Sequence, residues 1–335
     1  MRAILKSDVT ILIAVIFASI AGFATASSPL ERLQTIELKK GWNSVHLTVE
    51  PDESAIGKVF ENTHVDRVAV LLRPVFSDQF IKDPAEEPWQ KDTWRVWYSP
   101  DTVESVLSSL HAVHANQAYL VHSREASQLI IHGTAETPEI RWVADAFNLV
   151  GFSIDPDALP TFAQYFGGSK AHQGLEIYRL QGDRWSKVTN PLSTTVRRGE
   201  AYWVYCKGTS GYQGPVSCRT SKSAGIVFGS SGGNVRLTIT NHGLDPAEVQ
   251  LSGLAAVPLS VKMFVLTDTG LQTVRVPIGD VLKLPVLEPG KAIGLDLELR
   301  SDGSAPAGTG GAAGVVELRS DSGVLQTIPV LALTK

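Results

Sequence analysis

Two stretches of alternating apolar and polar residues mark the first two thirds of the chain. Val45, Leu47 and Val49 alternate with His46, Thr48 and Glu50, and Val150, Phe152 and Ile154 alternate with Gly151, Ser153 and Asp155. A period of two predicts a half-buried strand, with one face in a core and the other toward water. Pro51-Asp52 and Pro156-Asp157 stop these strands. Beyond them Ile56, Val59 and Phe60, like Leu159, Phe162 and Phe166, stand at spacings that suit one or two helical turns. Gln117 to Val121 and Glu200 to Val204 follow turns at Ala115-Asn116 and Arg198-Gly199 and predict closing strands rich in β-formers.

The two stretches are copies of one unit. Trp42 to Asp52 overlies Phe147 to Asp157 at an offset of 105, Trp94 meets Trp185 at 91, and Gln117 to Val121 meets Glu200 to Val204 at 83. The shrinking offset assigns 22 extra residues to the first copy. Much of that excess is Arg73 to Thr93, a Pro-rich acidic stretch expected to be an inserted surface loop. The copies span about 33–137 and 140–220, each a small β-rich unit with a helical turn.

The segments Gly41-Trp42-Asn43 through Pro51 and Ala146-Phe147-Asn148 through Pro156, each followed by a distant Ala-Tyr-Leu-Val or Ala-Tyr-Trp-Val strand, resemble the "GWN" repeats of exported bacterial and archaeal surface proteins. Phe147, Ala146 and Leu120 depart from that pattern. The resemblance implies export and surface display and supplies no catalytic residues.

After a Ser/Gly-rich linker at 221–233, strand-like segments recur between Gly, Pro and Asp turns: Asn234 to Thr240, Ala247 to Gly253, Ser260 to Thr267, Leu271 to Pro277, Val281 to Leu284, Lys291 to Leu299, Gly314 to Leu318 and Leu325 to Leu333. This spacing predicts an Ig-like β-sandwich over 234–335, with Ser301 to Ala313 as a hairpin loop. The whole chain is therefore expected to be mainly β with some α+β character.

Composition narrows the class. Of 335 residues, 43% are hydrophobic and 19% charged, which excludes a disordered chain. The 30 Lys and Arg against 34 Asp and Glu provide no global field for nucleic acid. Arg2 and Lys6, an apolar run from Ile11 to Ile20 and the triplet Ala24-Thr25-Ala26 match a signal peptide at 1–26, cleaved after Ala26. An uncleaved anchor is the alternative. No second apolar run follows, so no stable membrane insertion is expected after cleavage. The chain is expected to be exported: periplasmic, secreted or attached to the cell surface. An oxidising compartment favours a Cys206–Cys218 disulfide, worth about 3 kcal/mol in the chain-entropy account.

The chain carries no nucleophile elbow, zinc helix, Walker loop or calcium-loop signature, so no catalytic residue, metal or cofactor is assigned. Gly308 to Gly314 lacks the strand-to-helix context of a dinucleotide turn. His111, His114, His122 and His132 show no spacing that converges three metal ligands, and the acidic side chains of 78–92 are either a calcium site or a solvated loop. Aromatics remain as candidate binding residues: Trp89 in the inserted loop, Trp97 and Tyr98 beside it, and Tyr212 in the second copy. The leading expectation is a non-catalytic binding or scaffolding protein of the envelope, with an envelope protein or polysaccharide as partner. An accessory carbohydrate-binding protein comes second and a hydrolase with a carboxylate site third.

Overall fold

The computed structural model describes residues 30–72, 93–221, 225–229, 233–254, 257–267, 270–300 and 312–333. The signal segment, most of the inserted loop with Trp89 and most of the 301–313 loop lie outside the described residues.

The first copy contains β1 (Glu31–Leu38), β2 (Gly41–Leu47), β3 (Val49–Pro51), α1 (Ile56–Val59), β4 (Val65–Leu71), β5 (Trp94–Tyr98), β6 (Gln117–Ser123) and β7 (Ser127–Ala135). The second contains β8 (Ala146–Gly151), α2 (Phe162–Phe166), β9 (Ile177–Gln181), β10 (Arg184–Lys187) and β11 (Ala201–Cys206). Their main sheets run β2-β6-β4-β5 and β8-β11-β9-β10, so the sequence repeat is also a repeat of strand order. The hairpin β9–β10 turns through Gly182-Asp183, both at positive φ, as a tight two-residue hairpin requires. In the first copy the corresponding hairpin opens at Leu72 and Thr93, whose backbones still bond at 2.8 Å, so the β4–β5 pairing is kept up to that point, while 8 of the 22 extra residues fall later, between Trp94 and Gln117.

The side chains that give the repeat its signature hold turns in place. Asn43 donates to the Lys39 and Gly41 carbonyls while its Oδ1 accepts from Lys39 N, and Asn148 does the same with Val143 and Ala146. The Tyr119 hydroxyl accepts from His114 N and donates to Gln117, and Tyr202 repeats this with Arg197 N and Glu200. This is the logic of a tyrosine corner, in which a buried phenol satisfies an upstream backbone amide. Asn116 and Gly199, at matching positions, both take positive φ.

The expectation that β2 and β8 show one face to water is corrected. Val45 and Leu47 join Ile36, Leu38, Leu129 and Ile131 of the small sheet β1-β7-β3 in one core. Trp42 on the opposite face joins Ala69, Trp94, Leu120, Phe147 and Trp203 in another. That second core is built from matching positions of both copies, so the two main sheets pack against each other. Trp203 stands edge-on to both Trp94 and Trp185, with ring centroids at 6.5 and 6.0 Å. Burying rings of this size contributes about 1.5–3 kcal/mol each, and the edge-to-face pairs add about 0.5–1.5. Two of the polar alternates are buried here too, His46 at 5% exposure and Asp155 at 2%, while Thr48, Glu50 and Ser153 are half-buried.

The last unit is an Ig-like sandwich whose beginning differs from the expectation. β12 (Val216–Thr220), assigned above to the second copy, pairs with β14 (Val235–Asn241), and β13 (Ile226–Phe228), assigned to the linker, pairs in parallel with β21 (Leu325–Ala332). The other strands are β15 (Val249–Gly253), β16 (Leu259–Thr267), β17 (Gly270–Pro277), β18 (Leu282–Lys283), β19 (Ala292–Leu299) and β20 (Ala312–Ser320). Sheets β12-β14-β19-β16-β17 and β13-β21-β20-β15-β18 close over one apolar core that takes in Ile226 and Phe228. Those two apolar residues, set in a Ser/Gly-rich stretch, explain why a linker-like sequence forms a strand.

The expected disulfide is absent, and both thiols are free. Cys206 ends β11 of the second copy, whereas Cys218 lies in β12 of the sandwich. The Cys206 thiol donates to the Gly208 carbonyl at 3.3 Å, the bond that Ser123, its match in the first copy, makes with Glu125 at 2.7 Å. Cys218 donates to Gln326 at 3.1 Å, and burial pushes its thiol up to about 12.

The sandwich also docks on the second copy. Ile154 forms a bridge with Val324, Asp155 N bonds Gly323 O, and Leu325 N bonds Ser153 O. Arg319 reaches the buried Asp155 carboxylate at 2.8 Å. In the first copy Val49, the match of Ile154, pairs with Ala135 of β7. The β20–β21 turn thus supplies to the second copy the pairing that β7 supplies to the first.

Candidate binding cleft where three units meet

A cleft of about 880 Å³ opens between the two copies and the sandwich. One wall is the edge of β8 at Leu149, Val150 and Gly151. Facing it are Asn116 and Gln117 at the start of β6, and the sandwich contributes Cys218, Arg219 and Ile328.

The segment joining the copies forms the rim, and its backbone is held rigidly. Gln213 accepts from Ile140 N and donates to Ile140 O, both at 2.7 Å, and the Trp142 indole donates to Tyr212 O. Asn116 donates to Thr137 O at 2.9 Å. Glu50 accepts from Ala115 N and pairs with His114, both at 2.8 Å, so its carboxylate is spent on holding the turn.

Within the cleft His46 lies against Gly151, its match in the second copy. A Cβ added at Gly151 would stand 2.2 Å from the His46 ring, so only glycine fits beneath the imidazole. Burial lowers the His46 pKa to about 4, which keeps the ring neutral, and its Nδ1 has no hydrogen-bond partner among the described residues. The contact of matching positions places His46 and Gly151 near a local twofold relation between the copies.

That relation is broken at the strand edges. On the β2 side Val45 bridges to Glu200, and His46 N bonds Gly199 O at 2.9 Å. The matching residues on the β8 side, Val150 with Gln117 and Gly151 with Asn116, form no such bridge among the described residues and instead line the cleft. The first copy's edge is covered by the second, while the second copy's edge has no such backbone partner among the described residues and lines the cleft.

The predicted aromatic site is not assembled. Trp97 is buried and stacked on Phe60 at 5.8 Å, and Tyr212 is buried with its hydroxyl donating to Tyr165 O. Tyr98 is half-buried beneath Arg67, 5.1 Å from its ring. Alternation along β5 sends Trp97 into one core and packs Tyr98 partly against the other, and Tyr212, outside any strand, packs into the second copy's core, so the three are corrected from a binding surface to packing. Trp89 lies outside the described residues. Among the described residues no group of three His, Cys, Asp or Glu side chains is placed to hold a metal ion, and no helix is long and apolar enough to cross a membrane. The cleft itself escaped the sequence reading because its walls come from three units. The matched pair His46 and Gly151 was the available signal.

No protein-family model and no curated protein matches the chain. Among solved structures it is similar to the ASH/PapD-like domain 7 of human CEP192, at 16% identity and a TM-score of 0.23 over 36% of this chain and 85% of that one. The sporulation control protein Spo0M of Bacillus subtilis matches at 14% identity and a TM-score of 0.19, over 36% of this chain and 49% of that one. Escherichia coli alpha-2-macroglobulin activated by porcine elastase matches at 9% identity and a TM-score of 0.19, over 91% of this chain and 33% of that one.

Proposed function

We propose that this is an exported, non-catalytic binding or scaffolding protein of the cell envelope or extracellular space, which recognises a partner protein through its repeats. The observation that carries the reading is the cleft: three units hydrogen-bonded to one another leave an open strand edge between them, with polar and apolar groups on its walls. Export rests on the basic, apolar and small-residue succession of 1–26. The carbohydrate-binding alternative loses Trp97 and Tyr212 to the core.

The test is a pull-down with the chain 27–335 from envelope extract and a polysaccharide panel, beside Trp89→Ala and a deletion of 73–93. Retention of an envelope protein supports the reading. Retention of a polysaccharide, lost in Trp89→Ala, overturns it in favour of the sugar-binding alternative, and retention of nothing overturns both. Fractionation of the source cells with N-terminal sequencing tests export: the expected mature chain begins at Ser27, and a cytoplasmic full-length chain refutes it.

A further inference from the structure

The direction of the backbone groups on β8 follows from its neighbours. Tyr205 N bonds Glu176 O on the β9 side, and Asp145 N bonds Cys206 O on the β8 side. In an antiparallel ladder the facing direction alternates residue by residue. Tyr202, Val204 and Cys206 therefore face β8 and pair with Val150, Asn148 and Ala146. Leu149 and Gly151 then point their N–H and C=O groups away from β11, toward the cleft, where their amides meet no acceptor among the described residues. The first copy confirms the parity, because His46, the match of Gly151, sends its N–H outward to Gly199 O.

We propose that this cleft binds an extended peptide segment of the partner as an added strand along β8, with the outward amides of Leu149 and Gly151 donating to its carbonyls. This deepens the partner-binding reading and rests on it. The occupant follows from the molecule's own precedent, since the matching edge of β2 is already covered by backbone, at Gly199 and Glu200. Two outward donors two residues apart on one strand are separated by about 6.6 Å, which matches successive same-side carbonyls of another strand. The walls suit alternating side chains, with Leu71, Ile140 and Ile328 offering apolar contact and Gln117 offering an amide. The unpartnered Nδ1 of His46 lies beside Gly151 as a further polar group. Beside this edge the Asn116 side chain donates to Thr137 O of the segment joining the copies.

The experiment selects binders to the chain 27–335 from a phage-displayed library of random decapeptides and measures the best of them on Leu149→Pro. That substitution removes one outward N–H and leaves the β8–β11 ladder bonds in place. The expected result is at least a tenfold loss of affinity in the variant. In the unaltered chain, peptide binding should slow hydrogen exchange at Leu149 and Gly151 and leave Val150 unchanged, a readout that holds even if Leu149→Pro folds poorly. Recovery of no peptide, or binding without slowed exchange at Leu149 and Gly151, overturns the proposal. An envelope protein captured equally by a folded Leu149→Pro variant would overturn this placement and leave the partner-binding reading standing.

Discussion

The two copies share a four-stranded sheet and differ in what covers it. The first backs its sheet with strands of its own, β1, β7 and β3. The second has no such layer among the described residues: its outer face is filled by Phe152, Phe162, Tyr165, Phe166 and Tyr212, many of them ring against ring, and its edge after β8 is completed by the β20–β21 turn. The parts held in common are the asparagine clamp, the tyrosine corner and the apolar face joining the copies. Those parts depend on local backbone geometry and on the partner copy, whereas a cover needs only apolar surface and a means of satisfying the strand edge.

The comparison can be broken at its shared face first. Trp203→Ala should lower the unfolding free energy by about 3–5 kcal/mol, and Leu120→Ala at the matching position by less, toward the lower end of about 2–5. Urea denaturation of the full chain checks this, and equal, small losses would mean that the joined face is not a core. Acidification is expected to act next. The His46 imidazole has a pKa of 6.5 when unfolded and about 4 when buried, so the unfolded chain takes up the proton first. Stability is full above pH 6.5 and declines as pH falls from 6.5 to 4, by about 3 kcal/mol for this group, with no further loss below. His46→Gln should flatten part of that slope in thermal melts, and His172 of the second copy, also held at about 4, should supply another part.

Smaller effects sharpen the likeness between the copies. Asn148→Ala should cost about 1–3 kcal/mol by leaving turn groups unpaired, and Asn43→Ala less, because Asn43 is less buried. Circular dichroism melts of both variants rank the two clamps. The smallest effect belongs to the thiols: reductant should leave the melting midpoint unchanged, and Cys206→Ser should shift stability by under about 1 kcal/mol, since serine already serves at 123. A midpoint lowered by dithiothreitol would restore the disulfide.

Sequence patterning located both short helices and eight sandwich strands within a few residues, because each rests on local alternation and turn residues. It failed where burial depends on a distant surface. Alternation at Val45 to Glu50 reads the same whether His46 faces water or another sheet, and Gly151 shows a reason for its small size only once the imidazole lies over it. Spacing and compartment suggested joining Cys206 to Cys218, but sheet membership separates them. Trp97 and Tyr212 looked like recognition residues because large rings in loop-adjacent segments serve packing and binding alike.

The turn at Ser320 to Val324 sets an order of assembly. At a synthesis rate of roughly 5–20 residues per second, the strands of the first copy, Glu31 to Ala135, are all available early, whereas the second copy waits several seconds after β11 for Arg319, Gly323 and Val324. Until then Asp155 lacks its guanidinium and Ile154 its strand partner. A chain truncated before β20 would contain every residue of both copies, yet only the first would be complete.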